Sequence, residues 1–162
     1  MEMFAGTTHH SIVNVKVGGE MKKMLFDSGA QGFFSISKDD FIEFREKGLC
    51  NQADQAYGVN GAGLVGLGEA VDVYKGSVPE LDFLGKRFTN VGSITSPNSR
   101  SIIGVDILKY GEVVIDYMRN RFYFFPFDDE VEDMGGAPKT WNAGIMPRND
   151  RFEVTTVWSS MK

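Results

Sequence analysis

Short runs in which apolar and polar residues alternate, separated by glycines, cover most of the chain. Alternation with a period of two is typical of strands that bury one face. Val13, Val15 and Val17 alternate with polar residues. Gly18-Gly19 then supplies a two-residue turn, and a return strand is expected from Glu20 to Phe26. The pattern therefore predicts a mainly β domain that begins with a hairpin.

Two short segments have helical signals instead. Ser37 followed by Asp40 resembles a capping box, and Gly48 is a natural stop, so a helix is expected from about Lys38 to Lys47. A second, shorter helix is expected from Val105 to Tyr110. Further strands are expected at 71–74, 78–83, 88–91, 113–117 and 122–127.

Composition is compatible with a folded core, because 42% of the residues are apolar. No run approaches the about 20 apolar residues that a membrane helix requires. Of the 22 acidic residues, five lie between Asp128 and Asp133, and the other 17 balance the 17 basic ones. The net charge of -5 is therefore local, and no basic face indicates nucleic-acid binding.

The chain divides on this basis into three parts. Residues 1–127 are expected to form the main domain, 128–137 an acidic and glycine-containing linker, and 138–162 a tail too short to bury a core of its own. The compartment stays open, with a cell-envelope or periplasmic location of a longer parent protein among the possibilities.

The strand that ends at Phe26 leads directly into Asp27-Ser28-Gly29-Ala30. Aspartic proteases need two carboxylates that share one proton, so that one acts as base toward water and the other as acid toward the scissile carbonyl. Each carboxylate sits on a tight turn whose glycine permits close backbone approach. Asp-Ser-Gly is also common in ordinary surface turns, so the motif alone leaves both interpretations open.

The order of motifs resembles the retropepsin-like, gag-polyprotein-type aspartyl proteases of bacteria. In that family an Asp-Thr/Ser-Gly-Ala turn precedes a flap hairpin, then a strand ending in two apolar residues and glycine, then a short helix. Asp27–Ala30, Gly58–Gly68 and Ile102-Ile103-Gly104 match in order, and Ser101–Pro126 is especially similar. The sequence departs from the family at Gly32 and at Phe33, where Ser or Thr is usual.

The resemblance, which covers about Thr8 to Pro126, implies a closed, barrel-like β lobe of the acid protease fold with one or two short helices. It implies hydrolysis of peptide bonds, with Asp27 as one catalytic aspartate. Ser28, Gly29 and Ala30 would form the active-site turn. The flap would contain five glycines: Gly58, Gly61, Gly63, Gly66 and Gly68.

Because the chain has one such motif, the second aspartate must come from a partner lobe, either in an identical chain or in the same parent chain. The expected partners are that lobe and a peptide or protein substrate, without nucleic acid, membrane segment, cofactor or metal. The tail resembles the opening strands of a PDZ domain. The alternative function is a non-catalytic lobe that binds peptides or dimerises.

Other readings of individual residues are weaker. Gly61 to Gly66 formally matches G-x-G-x-x-G, but a buried strand before it and a helix after it are missing from the pattern. His9-His10 would point to opposite faces of a strand, which disfavours a shared metal. Cys50 is expected to be a small buried apolar residue. Asp106 is expected to cap a helix rather than to act as a second acid.

Overall fold

The structure, a computed structural model, describes residues 11–59, 62–63, 66–67, 69–148 and 150–161. His9-His10 lie outside the described residues. The elements in chain order are β1 (Ser11–Val17), β2 (Glu20–Phe26), β3 (Phe34–Ser35), α1 (Lys38–Glu46), β4 (Asn51–Gly58), β5 (Ala62–Gly63), β6 (Gly66–Leu67), β7 (Val71–Phe83), β8 (Lys86–Ile94), β9 (Ile102–Ile103), a 3₁₀ helix (Val105–Lys109), β10 (Gly111–Asp116), β11 (Arg121–Pro126), β12 (Glu132–Gly136), β13 (Ala143–Arg148), β14 (Arg151–Trp158) and a last 3₁₀ turn (Ser159–Met161).

In the described part of the chain, ten strands share one sheet, in the path β13-β14-β4-β7-β1-β2-β9-β3 with β8 and β12 branching from β7. The long strand β7 holds this sheet together, because it pairs with β4 along its first half and with β8 along its second half. It also contacts β1 through the pairs Lys16–Asp82 and Val17–Leu81. The predicted mainly β class is confirmed.

The closed barrel expected from the sequence is not formed. Over the described ranges, the sheet is open, with β13 at one end of its path and β3 at the other. The hairpin β10–β11 forms a separate two-stranded sheet that packs on the core. On one edge β7 pairs first with β4 and then with β1, and on the other edge it pairs with β8.

The core is built from residues of the main sheet, of α1 and of the β10–β11 hairpin. Val13, Val15 and Val17 all point into it, as the alternation in β1 predicts. Phenylalanine is the commonest residue of this core, and the pairs Phe26–Phe122, Phe83–Phe122 and Phe83–Phe124 pack edge to face, which suits the aromatic quadrupole. The phenylalanines of this core are Phe26, Phe33, Phe41, Phe44, Phe83, Phe88, Phe122 and Phe124.

The two predicted helices are present. In α1 the Ser37 hydroxyl accepts a hydrogen bond from the Asp40 backbone N–H, which satisfies one of the free donors of the first turn. The helix ends one residue before the expected boundary, and Gly48 follows with φ +70°. Within the described residues, no helix is long and apolar enough to cross a membrane.

The segment 128–137 contributes a strand, because β12 runs parallel to β8. Two acids of this segment, Asp128 and Glu132, contact the ammonium of Lys86, a residue that is only 1% exposed. Its Nζ donates to an oxygen of Asp128 and to Glu132 Oε1 at 3.2 Å. Acidic residues of this charged segment therefore pair with a lysine on β8.

The segment 138–162 contains the β13–β14 hairpin, and β14 pairs with β4. The alternating stretch of the tail thus forms a strand that extends the main sheet. The division into lobe, linker and PDZ-like tail stays a prediction.

Candidate active site

Asp27 lies where β2 leaves the sheet. Its backbone N–H donates to the Ile103 carbonyl at 3.0 Å, which continues the parallel pairing of β2 with β9. Phe26, immediately before it, is buried between β1 and β9 and contacts the ring of Phe122. Asp27 is therefore positioned by a strand that is paired on both sides, while its own side chain is only partly buried.

The turn holds one oxygen of the carboxylate. Gly29 N–H donates to Asp27 Oδ1 at 2.9 Å, and Ala30 N–H donates to the Asp27 carbonyl at 3.1 Å. Among the described residues, Oδ2 has no hydrogen-bond partner, so this oxygen is available to a ligand. Ser28 is exposed next to it. Asp27, Ser28, Gly29 and Ala30 thus form one compact turn at the surface.

The residues after the turn form backbone hydrogen bonds with the segment that follows β9. The N–H groups of Gly104 and Val105 donate to the carbonyls of Phe33 and Ala30, at 2.9 and 3.0 Å. A side chain at Gly104 has no room, because a Cβ there would lie 2.4 Å from the Gly32 carbonyl oxygen. The Ile-Ile-Gly motif therefore serves to let β9 approach the aspartate loop closely.

The two departures from the family pattern lie inside this arrangement. Gly32 has φ +85°, a conformation that favours glycine. Phe33 then turns into the core, where its ring lies 4.5 Å from the ring of Phe88 and 6.1 Å from that of Tyr110. The loop is anchored here by aromatic packing instead of by a hydroxyl.

A cleft of about 210 Å³ opens at Asp27. Its wall includes Ile115 and Tyr117, at the end of β10 and just beyond it, so the β10–β11 hairpin borders the aspartate. The full set of lining residues is Ser11, Leu25, Phe26, Asp27, Ser28, Ile115 and Tyr117.

The glycine-rich segment is hairpin-like where it is described. Gly58 ends β4, and β5 pairs with β6 through Gly63 and Gly66. Gly61 and Gly68 lie outside the described residues. No described residue of this segment lines the Asp27 cleft. Its role as a flap stays a prediction.

A second cleft, of about 240 Å³, was not predicted from the sequence. It lies where the start of α1, the start of β7 and the loop after β8 meet, and Lys38 Nζ and Asp72 Oδ2 are 3.4 Å apart across it. Ser96 on its wall has a hydroxyl that is buried without a hydrogen-bond partner. Because three distant segments build this cleft, the Ser96-Pro97-Asn98-Ser99 loop was its only local signal.

Other acids near the site have basic partners. Asp106 Oδ2 lies 2.8 Å from Lys109 Nζ, and the start of its 3₁₀ helix has no side-chain cap. The expectation that Asp106 caps a helix was therefore wrong. Asp116 binds Arg119, whose guanidinium and backbone N–H lower the Asp116 pKa. No cluster of three or more potential metal-ligating side chains occurs in the part of the chain that the structure describes.

No protein-family model matches this sequence, and no curated protein matches it. Solved structures match it in fold. A retropepsin-like aspartic protease from Rickettsia conorii aligns with a TM-score of 0.50 and 18% identity, over 72% of this chain and 83% of that one. The retroviral protease-like domain of Ddi1 from Leishmania major aligns with a TM-score of 0.43 and 22% identity, over 74% of this chain and 96% of that one.

The match to the Rickettsia structure shows that the fold of this chain is retropepsin-like. The molecule thus combines a retropepsin-like fold with an Asp-Ser-Gly turn at the end of its second strand.

Proposed function

We propose that this chain is one lobe of an aspartic peptidase, with Asp27 as one of its two catalytic aspartates. The observation that carries the proposal is the placement of Asp27. The residue ends a strand that is hydrogen-bonded on both sides, one carboxylate oxygen is oriented by Gly29, and the side chain lines a cleft. The retropepsin-like fold supports the assignment.

The chemistry requires a second aspartate close to Asp27, so that the pair holds one proton. The ionised member removes a proton from a water molecule, whose oxygen adds to the scissile carbonyl carbon. The protonated member gives its proton to the carbonyl oxygen. Collapse of the tetrahedral intermediate breaks the C–N bond, and the leaving amine takes up a proton.

The substrate is proposed to be an extended peptide that pairs its backbone with the walls of the site. In this proposal Ser28 and Gly29 shape the turn, and Ala30 lines the active site. The glycines from Gly58 to Gly68 form the flap in this proposal, because glycine permits the bending that a hairpin over a peptide needs.

The β10–β11 hairpin is the proposed pairing surface. One of its faces packs in the core through Phe122 and Phe124. The opposite face exposes Val114, Tyr123 and Phe125, with Glu112 opposite Phe125 at one end of the set and the Asp116–Arg121 pair at the other. Because the same hairpin borders the Asp27 cleft, a second copy of the lobe on this face would lie next to the aspartate that needs a partner.

Substitution of the aspartate tests the proposal. Cleavage of an unstructured protein or peptide library should occur at acidic pH and should fall by about 10²–10⁴-fold in Asp27→Asn, because the variant cannot share the proton. Asp129→Asn, the same change at an exposed position of the acidic segment, is the control and should cleave at the wild-type rate. Cleavage that persists in Asp27→Asn would contradict the assignment.

A non-catalytic lobe that binds peptides or dimerises is the second candidate. Phe33 favours it, because a buried ring occupies the position where the family usually has Ser or Thr. The two candidates differ in one experiment. An enzyme releases peptide products whose appearance depends on Asp27, whereas a binding module retains labelled peptides without cleaving them, in Asp27→Asn as in the wild type.

A further inference from the structure

The C-terminal hairpin β13–β14 is attached to the sheet along one edge of β4. β14 pairs antiparallel with β4, and Thr156 lies opposite Gly58 and Trp158 opposite Ala56. The pairing continues past the end of β4, where Val59 N–H donates to the Thr155 carbonyl at 3.0 Å. β14 thus becomes the third strand of the ladder that β4 forms with β7.

Gly58 shows how closely the two strands approach. A Cβ at this position would lie 2.2 Å from the Thr155 carbonyl oxygen and 2.6 Å from Thr156 Oγ1. The Thr156 hydroxyl also donates to the Val59 carbonyl at 2.9 Å. The glycine that was predicted to begin the flap is therefore the point where the tail contacts β4 most tightly.

Trp158 is the apolar anchor of the hairpin. Its ring is 5% exposed and forms a small cluster with Ala56 of β4 and Val73 of β7, apart from the main core. The ammonium of Lys75 lies 4.6 Å from the ring centroid, a cation–π geometry. This one side chain therefore contacts both strands that flank the glycine-rich segment.

A polar contact follows the anchor. The carboxylate of Asp54 on β4 accepts hydrogen bonds from the Ser159 and Ser160 hydroxyls, at 2.7 and 2.6 Å. It also accepts from the Ser160 backbone N–H at 3.3 Å. The end of the chain is thus fixed to β4 by a charged acceptor as well as by Trp158.

The rest of the hairpin is not fixed in this way. Val154 and Ile145, opposite each other on its outer face, are exposed, and so is Phe152 nearer its turn. The attachment therefore depends on the last residues of β14 and on the turn that follows. The cluster around Trp158 is separate from the main core.

We propose that the C-terminal hairpin is a detachable strap that restrains the β4–β7 ladder and so regulates the activity proposed above. Residues 56–58 of β4 and 71–73 of β7 lie beyond the pairing with β8, so without β14 they form a two-stranded ribbon, which is marginally stable, and β14 adds a third strand. With β14 in place, the end of β4 and the start of β7 are held in one geometry. Release of Trp158 frees both segments and changes access of a peptide to the lobe. The regulatory part rests on the proposed peptidase function, whereas the mechanical part is independent of it.

Hydrogen exchange on the full chain tests the mechanical part. Trp158→Ala should speed exchange in β14, and also in the β4 and β7 amides that bond to each other, by about tenfold or more, with β1 and β2 unchanged. Trp141→Ala is a matched control, since Trp141 lies in the same tail but is 89% exposed. Wild-type exchange of the β4–β7 amides in Trp158→Ala would overturn the proposal, whether or not β14 is released.

A reversible cross-link tests the regulatory part. Tyr57 and Val157 are opposite each other on β4 and β14, and both side chains are exposed, so Tyr57→Cys with Val157→Cys places two thiols at cross-strand distance. Peptide cleavage should differ between the oxidised and reduced states of this one protein. Equal cleavage rates in both states would overturn regulation by the strap. If neither state nor the wild type cleaves any peptide, the peptidase proposal fails, and the exchange experiment still decides whether the strap restrains the ladder.

Discussion

At the scale of single residues, Phe33 determines how the loop after Asp27 returns to the core. Its ring packs against Phe88 and Tyr110, and three residues of this loop accept hydrogen bonds from the segment after β9. The side chain therefore links the candidate active site to the core packing. A polar residue at this position would leave a ring-sized cavity there.

Replacing Phe33 should be costly for this reason. Phe33→Ala is expected to lower the free energy of unfolding by about 3–5 kcal/mol, as for other buried phenylalanines. Phe152→Ala, the same change at a side chain that is 78% exposed, should alter it by at most about 0.5 kcal/mol. Urea denaturation followed by circular dichroism measures both. A loss below about 1 kcal/mol in Phe33→Ala would show that the loop is not anchored through this ring.

At the scale of elements, the attachment of β14 to β4 should depend on pH through Asp54. The hydrogen bond from the Ser160 hydroxyl, with those from Ser159 and the backbone, lowers the pKa of Asp54 to about 2, from an ordinary 3.8. Lys75 is the charged group that faces it, with Nζ 3.9 Å from Oδ2. A lowered carboxylate pKa adds stability that is complete above the ordinary pKa and is lost as the pH falls toward the lowered one.

The strap should therefore stay attached at mildly acidic pH and loosen between about pH 4 and pH 2. Fluorescence of Trp158, read in a Trp141→Phe background so that one tryptophan reports, should shift toward the spectrum of an exposed indole over that range. In Asp54→Asn the transition should vanish and the indole should be more exposed at every pH. An Asp54→Asn protein with the same transition would assign it to other carboxylates.

Elements defined by neighbouring residues were the predictable ones. The cap of α1 and the β1–β2 hairpin depend on local signals, namely Ser37 with its acceptor hydroxyl and the glycine pair before Glu20, and both were predicted correctly. The segments 71–74 and 78–83 were predicted as two strands. The structure makes them one, because Lys75, Gly76 and Ser77 are paired with β4 on one side and with β8 on the other, so β7 continues through Gly76.

Pairings between distant segments could not be predicted from the sequence. Nothing local to β12 indicates that it runs parallel to β8, nor does β14 reveal that it extends β4. The candidate site shows the same division. Asp27 could be identified from its turn, whereas the cleft around Lys38 and Asp72 exists only once three segments have been brought together.

At the scale of the whole molecule, the proposed peptidase function requires a surface on which a second lobe can bind. Tyr123 and Phe125 stack with parallel rings on the outer face of β11, their centroids 6.3 Å apart. Phe127, beyond the strand, extends the apolar surface. The outer face of β14 is also apolar, but it lies on the strap, and no residue of it lines the Asp27 cleft in the described part of the chain.

These two faces give a direct comparison for dimerisation. We expect the protein to self-associate, and Phe125→Glu to weaken the association by at least about thirtyfold, since a second negative charge opposite Glu112 would replace an aromatic ring of the apolar contact. Phe152→Glu puts the same charge on the outer face of β14 and should leave the association unchanged. Sedimentation equilibrium over a range of concentrations measures both.

The rate of peptide cleavage should decrease in Phe125→Glu as the dimer dissociates, because the partner supplies the second aspartate. If Phe152→Glu dissociates the dimer and Phe125→Glu does not, the lobes pair through the tail, and the β10–β11 face is not the pairing surface.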